Sequence, residues 1–237
     1  MSGPDVGSSG PRRVRPPFPS SLRPVRVLRG VLGVVVLAIV AVDLGLVAGA
    51  LPAFDIGNYF GQFTIVSNLL VAASFLLGAL RPGRGAELAR ASAVVAILAT
   101  SVLFHLLIGT AGASGPVLNA LLHDVVPALA LLDWLLVRGR AGVRWWHPLA
   151  TLVVPVLYFG ITLLRGAVIG WYPYPFLDAS GPAGYAALVG TLAPVLVAFL
   201  LLAVLVVALG VARDAPAARS GPHAGKTVGA PPPRRLR

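Results

Sequence analysis

Apolar residues run along the chain in six blocks, at about 28–50, 63–80, 91–110, 117–137, 149–170 and 185–211. Each approaches the roughly 20 residues that a helix needs to cross the hydrocarbon core of a bilayer. Between the blocks the chain turns polar or breaks at Gly and Pro, as in LPAFDIGNYFGQ, RPGRG, AGASGP, RGRAGVRWWHP and WYPYPFLDASGPAG. The second block is short when begun at Phe63, which leaves a start nearer Tyr59 open. The pattern predicts an all-α fold, an integral membrane bundle of six transmembrane helices.

Polar residues interrupt the blocks at helical spacing. Thr64, Ser67 and Asn68 stand at i, i+3 and i+4; Ser101 and His105 are a turn apart, as are Asn119 and His123. Tyr158, Thr162 and Arg165 follow the same rule. Residues so spaced share a helix face. With successive helices alternating in direction, these stripes and Asp43 fall within about 10–15 Å of one membrane boundary at the rise of an α-helix. At that depth they are expected to face the bundle interior or a wet cavity. His123 and Asp124 lie about 100° apart around a helix, so one of them faces elsewhere. Pro127 removes the donor that the His123 carbonyl would meet. The helix should kink there and the freed carbonyl should seek a partner or water. The other half of the bundle offers far fewer polar groups, chiefly Asp133.

Charge adds direction. Six Arg lie in residues 1–29 and six Lys or Arg in residues 213–237. Arg81, Arg84 and Arg90 fall in one connection and Arg138, Arg140 and Arg144 in another. The remaining connections, 51–62, 111–116 and 171–184, hold neither Lys nor Arg. By the positive-inside rule, both termini are expected in the cytoplasm of a cell-membrane protein. A signal peptide ending at Ala48–Ala50 is the rival for the first block, but its apolar run is long for one and the charge alternation needs it as a retained span.

Composition agrees with the membrane assignment: 57% of the 237 residues are hydrophobic, 11% are charged and the mean hydropathy is +0.87. The net charge of +11 sits mostly in tails at 1–27 and 212–237. These tails are too rich in Pro, Gly, Ser and Ala to build a core, and are expected to be disordered around a membrane domain at 28–211. Basic flanks suit anionic lipid better than nucleic acid. With no cysteine, disulfide and thiolate chemistry is excluded. His105, His123 and Asp124 lack the local pairing of a metal site, so neither metal nor cofactor is expected.

Three stretches resemble bacterial members of the androgen-induced family of multi-pass membrane proteins. They are GQFTIVSNLLV at 61–71, LLHDVVPALALLDWLL at 121–136 and LLRGAVIGWYPYPFLDASGPAGY at 163–185. The family includes threonine hydrolases that cleave fatty acid esters of hydroxy fatty acids. The resemblance implies Thr64 as nucleophile and His123 as base, acting on a lipid ester drawn from the membrane. Asn68 is then the best candidate to stabilise an oxyanion, Asn119 to orient His123, and Arg165 to hold an anionic end of the substrate.

Each of these residues also has a quieter reading. Thr64 could cap its helix or bond a carbonyl one turn back. His123 could bond Asn119 or pack against a neighbouring helix. Arg165 could pair with Asp43 or Asp124, or reach the headgroups. His105 could join the site, and Asp43, His105, His123, Asp124 and Arg165 could instead relay protons in a non-enzymatic carrier or serve a scaffold. Trp171, Tyr172 and Tyr174 suit an interfacial belt or a lid, and Trp134, Trp145 and Trp146 a belt at the opposite side. The Gly45–Gly49 and Gly166–Gly170 spacings suggest close helix contacts. Oligomeric state is not legible in the sequence.

Overall fold

A computed structural model describes residues 22–109, 112–137, 146–180 and 184–214. Both expected tails beyond these limits, and Arg138, Arg140, Arg144 and Trp145, lie outside the described residues. Among the described residues all regular structure is helical. Helix α1 spans Arg23–Ala50 and short α2 Ile56–Phe60. The others are α3 Phe63–Leu80, α4 Arg84–Ile108, α5 Pro116–Leu136, α6 His147–Ile169 and α7 Gly184–Asp214. All but α2 are long and apolar enough to cross a membrane. The fourth helix begins at Arg84, within the connection expected at 81–90, so Arg90 is a helical residue rather than a loop charge.

Helix α1 is held by one face. Its buried residues, Arg29, Gly33, Val36, Val40 and Asp43, recur every three or four positions and form a single stripe against α3. Gly33 makes the approach close: a Cβ there would stand 2.8 Å from Leu76 Cγ and 3.1 Å from the Ala72 carbonyl. Helix α4 is the centre of the bundle and packs against α3, α5, α6 and α7. Its middle, from Ala93 to Ile97, is buried on all sides, and its alanines let neighbouring backbones approach. The Gly spacings that suggested contacts do otherwise. A Cβ at Gly45 or Gly49 would meet open space, and Gly166 is covered by the Tyr172 ring from the following loop rather than by a helix.

One end of the bundle is stitched by charge to an extent the sequence did not suggest. Asp133 of α5 accepts from Arg29 Nε of α1 at 3.0 Å and from Arg90 Nε of α4 at 2.6 Å. Arg90 also pairs with Glu87 at 2.9 Å and donates to the Asp133 carbonyl. Trp134 is not part of a belt: it is 1% exposed, its ring meets the guanidinium groups of both Arg90 and Arg213, and its indole donates to the Val206 carbonyl. Four helices thus meet on one network in which each charge has a partner, the condition for burying charge at all. Arg26 completes this end by donating to the Ala79 carbonyl at the C-terminus of α3, where a cation suits the helix dipole.

Candidate functional site

The opposite end carries Thr64, His123 and a cavity of about 410 Å³. Thr64 lies in the first turn of α3, but its hydroxyl does not cap that helix. Thr64 Oγ1 is 3.2 Å from His123 Nε2, on α5. The other ring nitrogen, Nδ1, is 3.0 Å from the backbone carbonyl of Asn119. A carbonyl can only accept, so Nδ1 carries a proton; in the neutral ring Nε2 is then bare and accepts from the Thr64 hydroxyl. The orienting group is thus the main chain of Asn119, not its side chain. Phe104 fixes the plane of the imidazole by stacking on it, ring centroids 3.8 Å apart.

Local sequence explains how His123 is presented. Residues Leu121–Val125 form a π-turn, in which the Val126 N–H reaches back to the Leu121 carbonyl. In this i→i+5 register the donor missing at Pro127 would have served the Leu122 carbonyl, not that of His123. The freed carbonyl is satisfied from α3: Asn68 Nδ2 donates to Leu122 O at 3.3 Å and to Thr64 O at 2.8 Å. The expected kink is therefore a π-turn, and the expected polar partner is Asn68. One amide ties the helix bearing the threonine to the helix bearing the histidine. Behind it, Thr100 donates to Ser67, and Ser67 to the Thr64 carbonyl. Because both Asn68 N–H contacts are to main-chain carbonyls, Asn68 is not free to meet an oxyanion in the cavity; it is a positioning residue.

Other expected site residues separate into three places. Asp43 and Asn119 line the cavity with Thr64 and His123. Asp43 is buried and accepts at 2.9 Å from the hydroxyl of Tyr59, which α2 turns inward. Tyr59 was not singled out in the sequence, because a tyrosine in a turn segment reads as an interfacial anchor. His105 and Asp124 instead pair with each other at 2.7 Å, with about half of each side chain exposed. Both stand outside the cavity: Asp124, about 100° around α5 from His123, is the member of that pair that faces elsewhere, and the end of α4 winds into a π-turn, Phe104–Ile108, that breaks the Ser101–His105 spacing. Gly109, at φ +65, closes that turn, a conformation that favours glycine.

Arg165 lies elsewhere again. Its guanidinium donates to Asn58 Oδ1 at 2.7 Å, stacks over Trp171 and approaches Asp55 at 4.0 Å. It borders a separate groove with Tyr158, Thr162 and Trp171. So it pairs with neither Asp43 nor Asp124, and it does not reach the Thr64 cavity. Its evident work is to fasten α2 to the end of α6.

The loop after α6, whose aromatics suit an interfacial belt or a lid, supplies a further group to the site. Tyr174 packs against the core, lines the cavity, and accepts a hydrogen bond from the Phe63 N–H at 3.1 Å. Tyr158 donates to the Gly61 carbonyl at 2.8 Å. Two tyrosines thereby hold the start of α3, and with it Thr64. A narrow apolar slot of about 40 Å³ also borders Thr64, walled by Phe63, Leu103, Phe159, Val195 and Phe199. Among the described residues no three His, Asp or Glu side chains converge as they would around a metal ion.

Fold and site together define a multi-pass helical membrane protein with a threonine–histidine pair lining a cavity, and an apolar slot that the threonine also borders. Compared with known proteins, the chain matches no family model, no curated protein and no solved structure.

Proposed function

We propose that this protein is a cofactor-free hydrolase of a lipid ester, a bacterial relative of the androgen-induced family, with Thr64 as nucleophile and His123 as general base. The observation that carries this reading is the directed relay from Thr64 Oγ1 through His123 to the Asn119 carbonyl, 3.2 Å and 3.0 Å long. A hydroxyl becomes a useful nucleophile when a base within hydrogen-bond reach, itself oriented by a third group, takes its proton. His123 meets both conditions. As Thr64 Oγ1 bonds to the acyl carbon, its proton passes to Nε2; the carbonyl π pair moves onto oxygen. Collapse expels the alcohol, which leaves with the proton from His123. Water then attacks the acyl-threonine with His123 again as base, and the acid departs.

Thr64 borders both spaces, and they suit the two halves of such a substrate, an acyl chain in the apolar slot and the alcohol portion in the wider cavity. The alternation of Lys and Arg supports both termini in the cytoplasm of a cell-membrane protein, which turns the site to the outer leaflet. Between the site and the ion network the helices meet on Val71, Ala72, Val95, Ala96 and Val126, all 0% exposed. That apolar layer favours chemistry at one face over a proton conduit. The test is turnover of long-chain acyl esters by the purified chain in micelles. Wild-type hydrolysis lost in both Thr64→Ala and His123→Ala supports the reading; hydrolysis retained in either variant removes it.

A further inference from the structure

The hydrolytic reading leaves the developing oxyanion without a donor, since the Asn68 amide is engaged with two main-chain carbonyls. We infer that the Tyr174 hydroxyl is that donor, an inference that rests on the Thr64–His123 reading. Tyr174 borders both the cavity and the slot, as Thr64 does. Its phenol oxygen accepts at 3.1 Å from the N–H of Phe63, the residue next to Thr64.

Three physical points converge on that oxygen. A phenol that accepts from a main-chain N–H keeps its own proton to donate, and the accepted bond polarises the O–H and strengthens it as a donor. The N-terminus of α3 lies behind it, so negative charge forming nearby is favoured by the helix dipole. Burial holds the Tyr174 phenol above its ordinary range, against the opposing pull of the Phe63 N–H, so it stays protonated at neutral pH. Tyr158 differs: its proton is committed to the Gly61 carbonyl.

In the step itself, the bond from Thr64 Oγ1 to the acyl carbon forms as the carbonyl π pair moves to oxygen, and Tyr174 O–H hydrogen-bonds to that alkoxide without giving up its proton. The pair returns when the alcohol leaves with the proton held on His123. A group that acts only on charge formed in the transition state affects kcat and leaves KM nearly alone.

The experiment uses the purified full chain in micelles with p-nitrophenyl decanoate as probe. Tyr174→Phe is expected to lower kcat by about 10²–10³-fold with KM within about threefold of wild type. Tyr158→Phe, which loosens the same end of α3, is expected to keep kcat within about tenfold while lowering the thermal midpoint. Tyr174→Phe with near wild-type kcat overturns the inference, as does a loss of kcat matched by Tyr158→Phe at equal loss of thermal midpoint. If Thr64→Ala and His123→Ala are inactive and Tyr174→Phe is not impaired, only Tyr174 is wrongly assigned. A wild type that neither turns over this ester nor reacts with a fluorophosphonate fails the underlying reading and this one with it.

Discussion

The two ends of this bundle bury polar groups in opposite ways. At one, Arg29, Glu87, Arg90 and Asp133 close on each other across α1, α4 and α5, and Trp134 packs against Arg90 and Arg213. At the other, Thr64 and His123 meet at 3.2 Å beside a cavity of about 410 Å³. Paired charge without a space around it holds helices together. A directed donor–acceptor chain opening on a space can act on something else. The side chains of Arg29, Arg90 and Asp133 are at most 8% exposed and spend their polar atoms on each other, whereas Thr64 and His123 line a cavity.

The sharpest way to break this comparison is at Asp133. Asp133→Ala strands the buried guanidinium groups of Arg29 and Arg90, and removal of one partner from a buried pair costs about 3–5 kcal/mol. The expected outcome is a large fall in the thermal midpoint in detergent, or failure to recover folded protein. His123→Ala should do the reverse, lowering ester turnover by about 10²–10⁴-fold while the elution profile and thermal midpoint stay close to wild type. Were Asp133→Ala stable and inactive, or His123→Ala unstable, the division of labour between the ends would be wrong.

Smaller effects sharpen it. Gly33→Ala forces a methyl against Leu76 and the Ala72 carbonyl at the α1–α3 seam, and overpacking of this kind costs about 1–3 kcal/mol. Thermal unfolding should register it, with turnover per folded molecule little changed. Asp124→Asn removes the charge from a half-exposed pair with His105, worth at most about 1 kcal/mol. Turnover within about twofold of wild type would confirm that this pair stands outside the chemistry; a large loss would return Asp124 to the site.

Much of this was legible in the sequence. The six helices follow from length and hydropathy, and the slab of polar residues near one boundary follows from their spacing. Thr64 and His123 were both marked, although only the resemblance joined them. What escaped has physical causes. The π-turn at Phe104–Ile108 shifts the angular register by a residue, so His105 leaves the stripe that four-residue spacing assigned it, whereas Asn119 and His123 keep theirs and Asp124 is the neighbour that faces elsewhere. Asn68 seemed free to meet substrate, because nothing local shows that Pro127 leaves a carbonyl on another helix for it to serve. Arg29 and Arg90 were counted as loop or tail charge, since a basic residue beside an apolar block looks the same whether it faces water or a buried aspartate. Tyr174 stood in a Trp–Tyr–Pro loop that resembles any interfacial belt.

The central claim is that Thr64 is an activated nucleophile. The most direct measurement is labelling of the purified protein with a fluorophosphonate, in which the hydroxyl oxygen displaces fluoride at phosphorus, followed by peptide mapping of the adduct. The account predicts one adduct, on Thr64, formed at a rate that falls by about 10²-fold or more in His123→Ala. A folded wild type that takes no label, or takes it on another residue while Thr64 stays free, would contradict it.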